Sequence, residues 1–269
     1  MANVTLEEAT RHRERLYVPG CIVLKFYSNA IAPDHKHSNF HRAPFVFLPE
    51  NAPDAMVRAV PSIRKWLGPE GREFASAEHL YQALASNDLT TFQAFVAGGS
   101  FGDTYVTFFM TTLPKSQKLK SASVRADGAA KKVAYWDRKG NAGIVAKLAV
   151  RKGIIERHYQ HLSISRKRLA CLSDDDERAI WFAIHKQKYL QNPKLLKALC
   201  DTGPDTYLLE FVRGAERVQR EKGIVEKWGG LIDKSGTLYG QNRMGRYLMA
   251  MRHYLLNVSQ LNVKVETEK

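Results

Sequence analysis

Cysteine is scarce in this 269-residue chain: Cys21, Cys171 and Cys200 are scattered, with no Cys-x-x-Cys pair among them. That pattern argues against both a disulfide framework and a structural zinc site. Long apolar runs are missing as well, and residues 1–15 are polar and alternate in sign where a secretory leader would be apolar. The expectation is an intracellular protein without a membrane span. In that setting the sequons at Asn3-Val4-Thr5 and Asn257-Val258-Ser259 carry no meaning. Internal repeats and low-complexity tracts are absent too. Histidines gather at His35, His37 and His41, but no carboxylate or cysteine follows at ligand spacing, so no metal is expected. Gly98-Gly99-Ser100-Phe101-Gly102-Asp103 has neither the order nor the setting of a phosphate-cradling loop.

Acidic residues are also in short supply, since 27 Asp+Glu face 41 Lys+Arg and leave a formal charge of +14. The excess concentrates at 115–139 (Lys115, Lys118, Lys120, Arg125, Lys131, Lys132, Arg138, Lys139), at 151–168 and at 213–227. Such clusters are the electrostatic footprint of a protein that meets nucleic acid or another phosphate-rich ligand. Plain solvation is the competing reading, because clusters in sequence need not merge in space.

What the chain does have is enough length and apolar residue, 44%, to bury a sizeable core. Residues 5–16 read as a short polar helix on an N-terminal appendage. Residues 21–27 and 45–48 are β-branched and aromatic, which suits strands. The most informative stretch is Phe74-Ala75-Ser76-Ala77-Glu78-His79-Leu80-Tyr81-Gln82. Ser76 suits a helix N-cap whose hydroxyl accepts from the first amides. Ala77, Leu80, Tyr81 and Leu84 then form a core-facing stripe. Glu78 and Gln82, four apart, place a carboxylate beside an amide at the rim of that face. A first-turn glutamate also satisfies the helix dipole, so a surface role competes with a chemical one.

A second helix begins at Ser173, with Asp174-Asp175-Asp176 as its acidic first turn, and runs toward Tyr189. Lys188 lies at the edge of its apolar side, either snorkelling to water or desolvated with a lowered pKa, as amine nucleophiles require. Residues 193–199 read as a further helix and 207–212 as a strand; residues 85–130 give no clear assignment. Trp228-Gly229-Gly230 precedes a helix starting at Asn242, with Arg243 in its first turn. Free amides and a guanidinium converging there suit a pyrophosphate, while a capped core helix with a solvated Arg is the plainer reading.

The order of these pieces resembles one family. Phe26-Tyr27, Ser38-Asn39-Phe40 with Pro44-Phe45, Ser76-Ala77-Glu78-His79-Leu80-Tyr81-Gln82, Tyr135-Trp136, Gln187-Lys188-Tyr189 with Gln191-Asn192-Pro193, Thr202-Gly203 with Leu208-Leu209-Glu210, Trp228-Gly229, and Asn242-Arg243-Met244-Gly245 with Leu248-Met249 look like the NADAR (YbiA-like) family. The resemblance spans about residues 22–256, leaving 1–21 as an appendage and 257–269 as a tail. Departures are the appendage, a longer 49–73 segment, and the basic regions 85–132 and 213–227.

The resemblance implies an α+β fold, a mostly α-helical single domain with minor β-strands, that hydrolyses N-glycosidic bonds without metal or cofactor. The substrate it implies is ADP-ribose on the amino group of guanine in nucleic acid, DNA or RNA, with free ADP-ribose as product. Riboflavin-pathway intermediates are the alternative, as is a module that binds ADP-ribose or nucleotide without cleaving it. Under that resemblance Glu78 is the central acid/base. Lys188 is either a Schiff-base amine or a binding cation. Asn39 and Gln82 hydrogen-bond ribose or base, Tyr27 and Trp228 stack on a base, and Asn242 with Arg243 receives the pyrophosphate. Trp136 and Gly229 complete the substrate-binding set.

Overall fold

The computed structural model describes residues 17–26, 36–99 and 162–267. Tyr27, Trp136, the 5–16 helix and the basic stretch 115–139 lie outside the described residues. In chain order the elements are β1 (Val23–Phe26), β2 (Phe45–Phe47), α1 (Asp54–Ala59), α2 (Ile63–Leu67), β3 (Arg72–Phe74), α3 (Ala77–Ala83) and α4 (Leu89–Gln93). Then come α5 (Arg166–Ala170), α6 (Asp174–Leu190), α7 (Pro193–Cys200), β4 (Tyr207–Glu210), α8 (Ala215–Lys222), β5 (Leu231–Ile232), β6 (Leu238–Tyr239) and α9 (Arg243–Thr267). Among the described residues helix dominates and the strands pair in twos, which makes a mixed helix and strand protein. Among the described residues no helix is long and apolar enough to cross a membrane.

The chain gathers into two compact units, residues 39–191 and residues 1–38 with 192–269. In the first, β2 and β3 pair antiparallel in the register Phe45↔Phe74, Val46↔Glu73, Phe47↔Arg72. Alternation puts Phe45, Phe47 and Phe74 on one buried face. There Phe74 meets Phe45 at 6.3 Å and stands edge-on to Phe92 at 5.9 Å, and Phe92 meets Trp66 at 5.6 Å. Each such ring contributes roughly 1.5–3 kcal/mol by leaving water. The unassigned region after residue 85 contains α4, started by Asp88, whose carboxylate accepts from Thr91 N at 2.7 Å.

Helix α6 starts where the local signals put it, with Ser173 Oγ accepting from Asp176 N at 3.1 Å and four acids facing the positive end of the dipole. Its two ends are tied to different elements. Arg58 of α1 reaches Asp176 at 2.5 Å. At the other end the Gln191 amide clamps the β2 backbone, accepting from Val46 N at 2.8 Å and donating to Val46 O at 2.7 Å. The helix that carries Lys188 is thereby held in register on the sheet.

In the second unit, β1 and β4 run parallel, Val23↔Tyr207 to Phe26↔Glu210, and a Phe211↔Gly230 bridge extends the pairing. Helix α9 packs across β4, and it continues to Thr267, through much of the stretch read as a tail.

Candidate active site

Helix α3 presents Glu78, but not at a rim. Every residue from Ala77 to Ala83 is buried, with Glu78 only 2% exposed, because the helix is covered by α6 on one side and by the 39–43 segment on another. The Ser76 hydroxyl does not cap the amides either. It bonds His79 Nδ1 at 2.8 Å, and the backbone of a distant residue takes its place: Glu78 N donates to Asn39 O at 3.0 Å. Asn39 then acts a second time, its Nδ2 donating to Glu78 Oε2. Gln82 Nε2 donates to the other oxygen, Oε1, at 2.8 Å, as the four-residue spacing predicts. Each carboxylate oxygen therefore has its own amide donor, which fixes the plane of the group.

Lys188 is not at an edge but fully buried. Desolvation pulls its amine pKa down from the usual lysine range to about 7. The surroundings are aromatic: Tyr189 lies 5.6 Å from Nζ to ring centroid, and a ladder of rings ascends the same helix, Trp181 on His185 at 5.4 Å and His185 to Tyr189 at 6.1 Å. Burial, and then the Lys188 charge, hold the His185 imidazole well below its ordinary range, so it stays neutral near pH 7. The ladder continues onto α3, where Tyr81 stacks on Trp181 at 4.4 Å and donates its hydroxyl to Glu177 Oε1 at 2.9 Å. This stack couples the helix of Glu78 to the helix of Lys188.

The sequence missed Glu177 and His185, although a signal was present. Glu177, Trp181 and His185 follow one another at four-residue intervals, so two titratable groups share a helical stripe with an indole and turn inward with it.

The other unit corrects the pyrophosphate expectation. The first amides of α9 are spent within the chain: Asn242 N donates to Gly229 O at 3.1 Å, Arg243 N to Lys227 O at 3.3 Å and Met244 N to Trp228 O at 3.0 Å. Asn242 is itself fully buried with φ +47, its Oδ1 accepting from Glu210 N at 3.0 Å and its Nδ2 donating to Leu208 O at 2.8 Å. It brackets β4 and offers nothing to a ligand. Gly229 likewise serves packing, since a Cβ there would meet Glu210 O at 2.2 Å. Trp228 and Arg243 keep half-exposed side chains, with Lys227 Nζ 5.4 Å over the indole and Arg243 Nε on Gln241 Oε1 at 2.6 Å.

Asn242 and Gly245 thus serve helix-on-strand packing, because a Cβ on Gly245 would lie 2.1 Å from Leu208 O and 2.5 Å from the Asn242 amide. Gly245→Ala is expected to cost roughly 3 kcal/mol. A lowered denaturant midpoint with an unchanged slope would show it. An unchanged midpoint would contradict this packing account.

The chain matches no family model, no curated protein and no solved structure.

Proposed function

We propose that this protein hydrolyses an N-glycosidic bond, removing ADP-ribose from the amino group of guanine in nucleic acid, with Glu78 as the central carboxylate. The observation that carries this reading is a buried carboxylate, gripped by Asn39 and Gln82, on a helix packed against the helix of a buried lysine whose amine pKa is pulled down to about 7. Cleavage of such a bond builds oxocarbenium character at the anomeric carbon, and a fixed, desolvated carboxylate stabilises it without reorganising. Glu78 accepts a proton from water as its oxygen bonds to that carbon. Lys188, as ammonium, gives a proton to the departing nitrogen while the carbon–nitrogen bond breaks. Proton exchange with solvent then restores both groups. The net charge of +14 supports a nucleic-acid-borne substrate over a small riboflavin intermediate, which gives no reason for so much positive charge.

The test is incubation with an oligonucleotide bearing ADP-ribose on a guanine amino group, following free ADP-ribose. No release by folded protein would pass the reading to a riboflavin-type N-glycosidase or to a binding module.

With Lys188 as the acid, kcat/KM is expected to fall above about pH 7, by about tenfold per unit, as the ammonium is lost. A rate that climbs through the same range, with an adduct trapped by borohydride, would instead assign Lys188 as the amine that attacks the opened sugar.

A further inference from the structure

Asn39 is 4% exposed, and the two polar atoms of its side chain are treated very differently by the fold. Its nitrogen faces Glu78, Nδ2 donating to Oε2, which is the orientation a carboxylate that only accepts requires. The carbonyl oxygen is therefore fixed on the other arm of the amide. There it is buried and, among the described residues, meets no hydrogen-bond donor. A buried acceptor left unmet costs stability and is retained where something else uses it. Glu78 and Asn39 Oδ1 thus form two neighbouring acceptors, separated by the width of one amide group.

We infer that Asn39 orients the attacking water of the proposed hydrolysis, taking one of its hydrogens on Oδ1 while Glu78 takes the other. The inference rests on the glycosidase reading and names a residue of that same site. Water suits the pair because it carries two donors on one oxygen. With both hydrogens so directed, one to each acceptor, a lone pair of the oxygen is aimed at the anomeric carbon. As the oxygen–carbon bond forms, Glu78 removes the hydrogen it holds, and the hydrogen on Oδ1 stays with the product hydroxyl. A ribose hydroxyl, with one donor, would satisfy only one of the two acceptors. The sequence reading of Asn39 as a ribose or base contact is thereby narrowed to the nucleophile.

The test is solvolysis in water–methanol mixtures, because methanol has a single O–H and cannot serve both acceptors. Wild type is expected to release ADP-ribose with almost no methyl glycoside. Asn39→Ala should lose about 10²-fold in kcat with little change in KM, and should yield methyl glycoside in proportion to methanol. Gln82→Ala is the control, since it removes the other grip on Glu78 but leaves Oδ1 in place; it should slow turnover and keep the preference for water. A rise in KM alone for Asn39→Ala, or a product ratio equal to that of wild type, would overturn the inference. A crystal structure showing ordered water covers the case in which Asn39→Ala turns over too slowly to partition. A water bonded to both Oδ1 and Glu78 in wild type and missing in the variant supports the role, and no such water in wild type refutes it. Failure of wild type to turn over the modified oligonucleotide counts against the glycosidase reading, and the crystallographic result still judges the water site.

Discussion

Glu78→Gln is expected to abolish release of ADP-ribose while the protein stays folded and keeps its ligand. The carboxylate is the group that bears the developing charge and accepts the proton of water, so its loss should cost about 10²–10⁴ in rate. The amide introduced has the same shape but offers one acceptor and one donor in place of two acceptors. Its donor would face the amide nitrogen of Asn39 or Gln82, and rotation of either side-chain amide relieves that conflict. Turning Asn39 would even bring Oδ1 onto the new donor, so stability should shift by no more than about 1 kcal/mol. The measurement pairs turnover with a denaturant midpoint and with ADP-ribose affinity. Retained turnover would remove Glu78 from the centre of the chemistry. Lost turnover with intact affinity would exclude the reading in which the protein only binds ADP-ribose.

Local signals were legible and distant ones were not. Ser173 with its run of acids announces the start of α6 because cap, dipole and apolar stripe all lie within one turn of one another. The Glu78–Gln82 contact was legible for the same reason, four residues being one turn. By contrast, Ser76 looks like a cap, yet its hydroxyl serves His79 and the amide of Glu78 is satisfied by Asn39, a partner that sequence spacing cannot supply. The α9 start failed in the same way. Its composition suits an anion, but three of its amides are consumed by the carbonyls at Lys227, Trp228 and Gly229. A chain segment that folds back over a helix end turns an apparent binding site into a packed joint, and that requires knowledge of the tertiary path. Full burial of Lys188 was hidden similarly, since periodicity placed it at an edge and burial comes from the tertiary packing of other elements on α6.

Lys188→Met should give an inactive protein whose stability lacks the rise with pH that wild type shows between about pH 7 and pH 10. A buried amine whose pKa is about 7 in the folded chain returns to about 10.4 when the chain unfolds. Between those two values the unfolded state binds a proton that the folded state does not, so the free energy of unfolding rises with pH across that window. Below about pH 7 both states hold the proton, and the full cost of burying the ammonium is present. Above about pH 10.4 neither does, and that cost is gone. Methionine fills a similar volume without a charge, so its unfolding free energy should lack this component. Between about pH 7 and pH 10 wild type should therefore gain on the order of a few kcal/mol relative to the variant. Other groups titrate in the same range in both proteins, so the difference between the two curves isolates Lys188. Guanidinium unfolding at a series of pH values, alongside the ADP-ribose release assay, checks both halves. A difference between the two proteins that does not change with pH would mean that the amine is not depressed in the fold, and a variant that still turns over would remove the amine from the reaction.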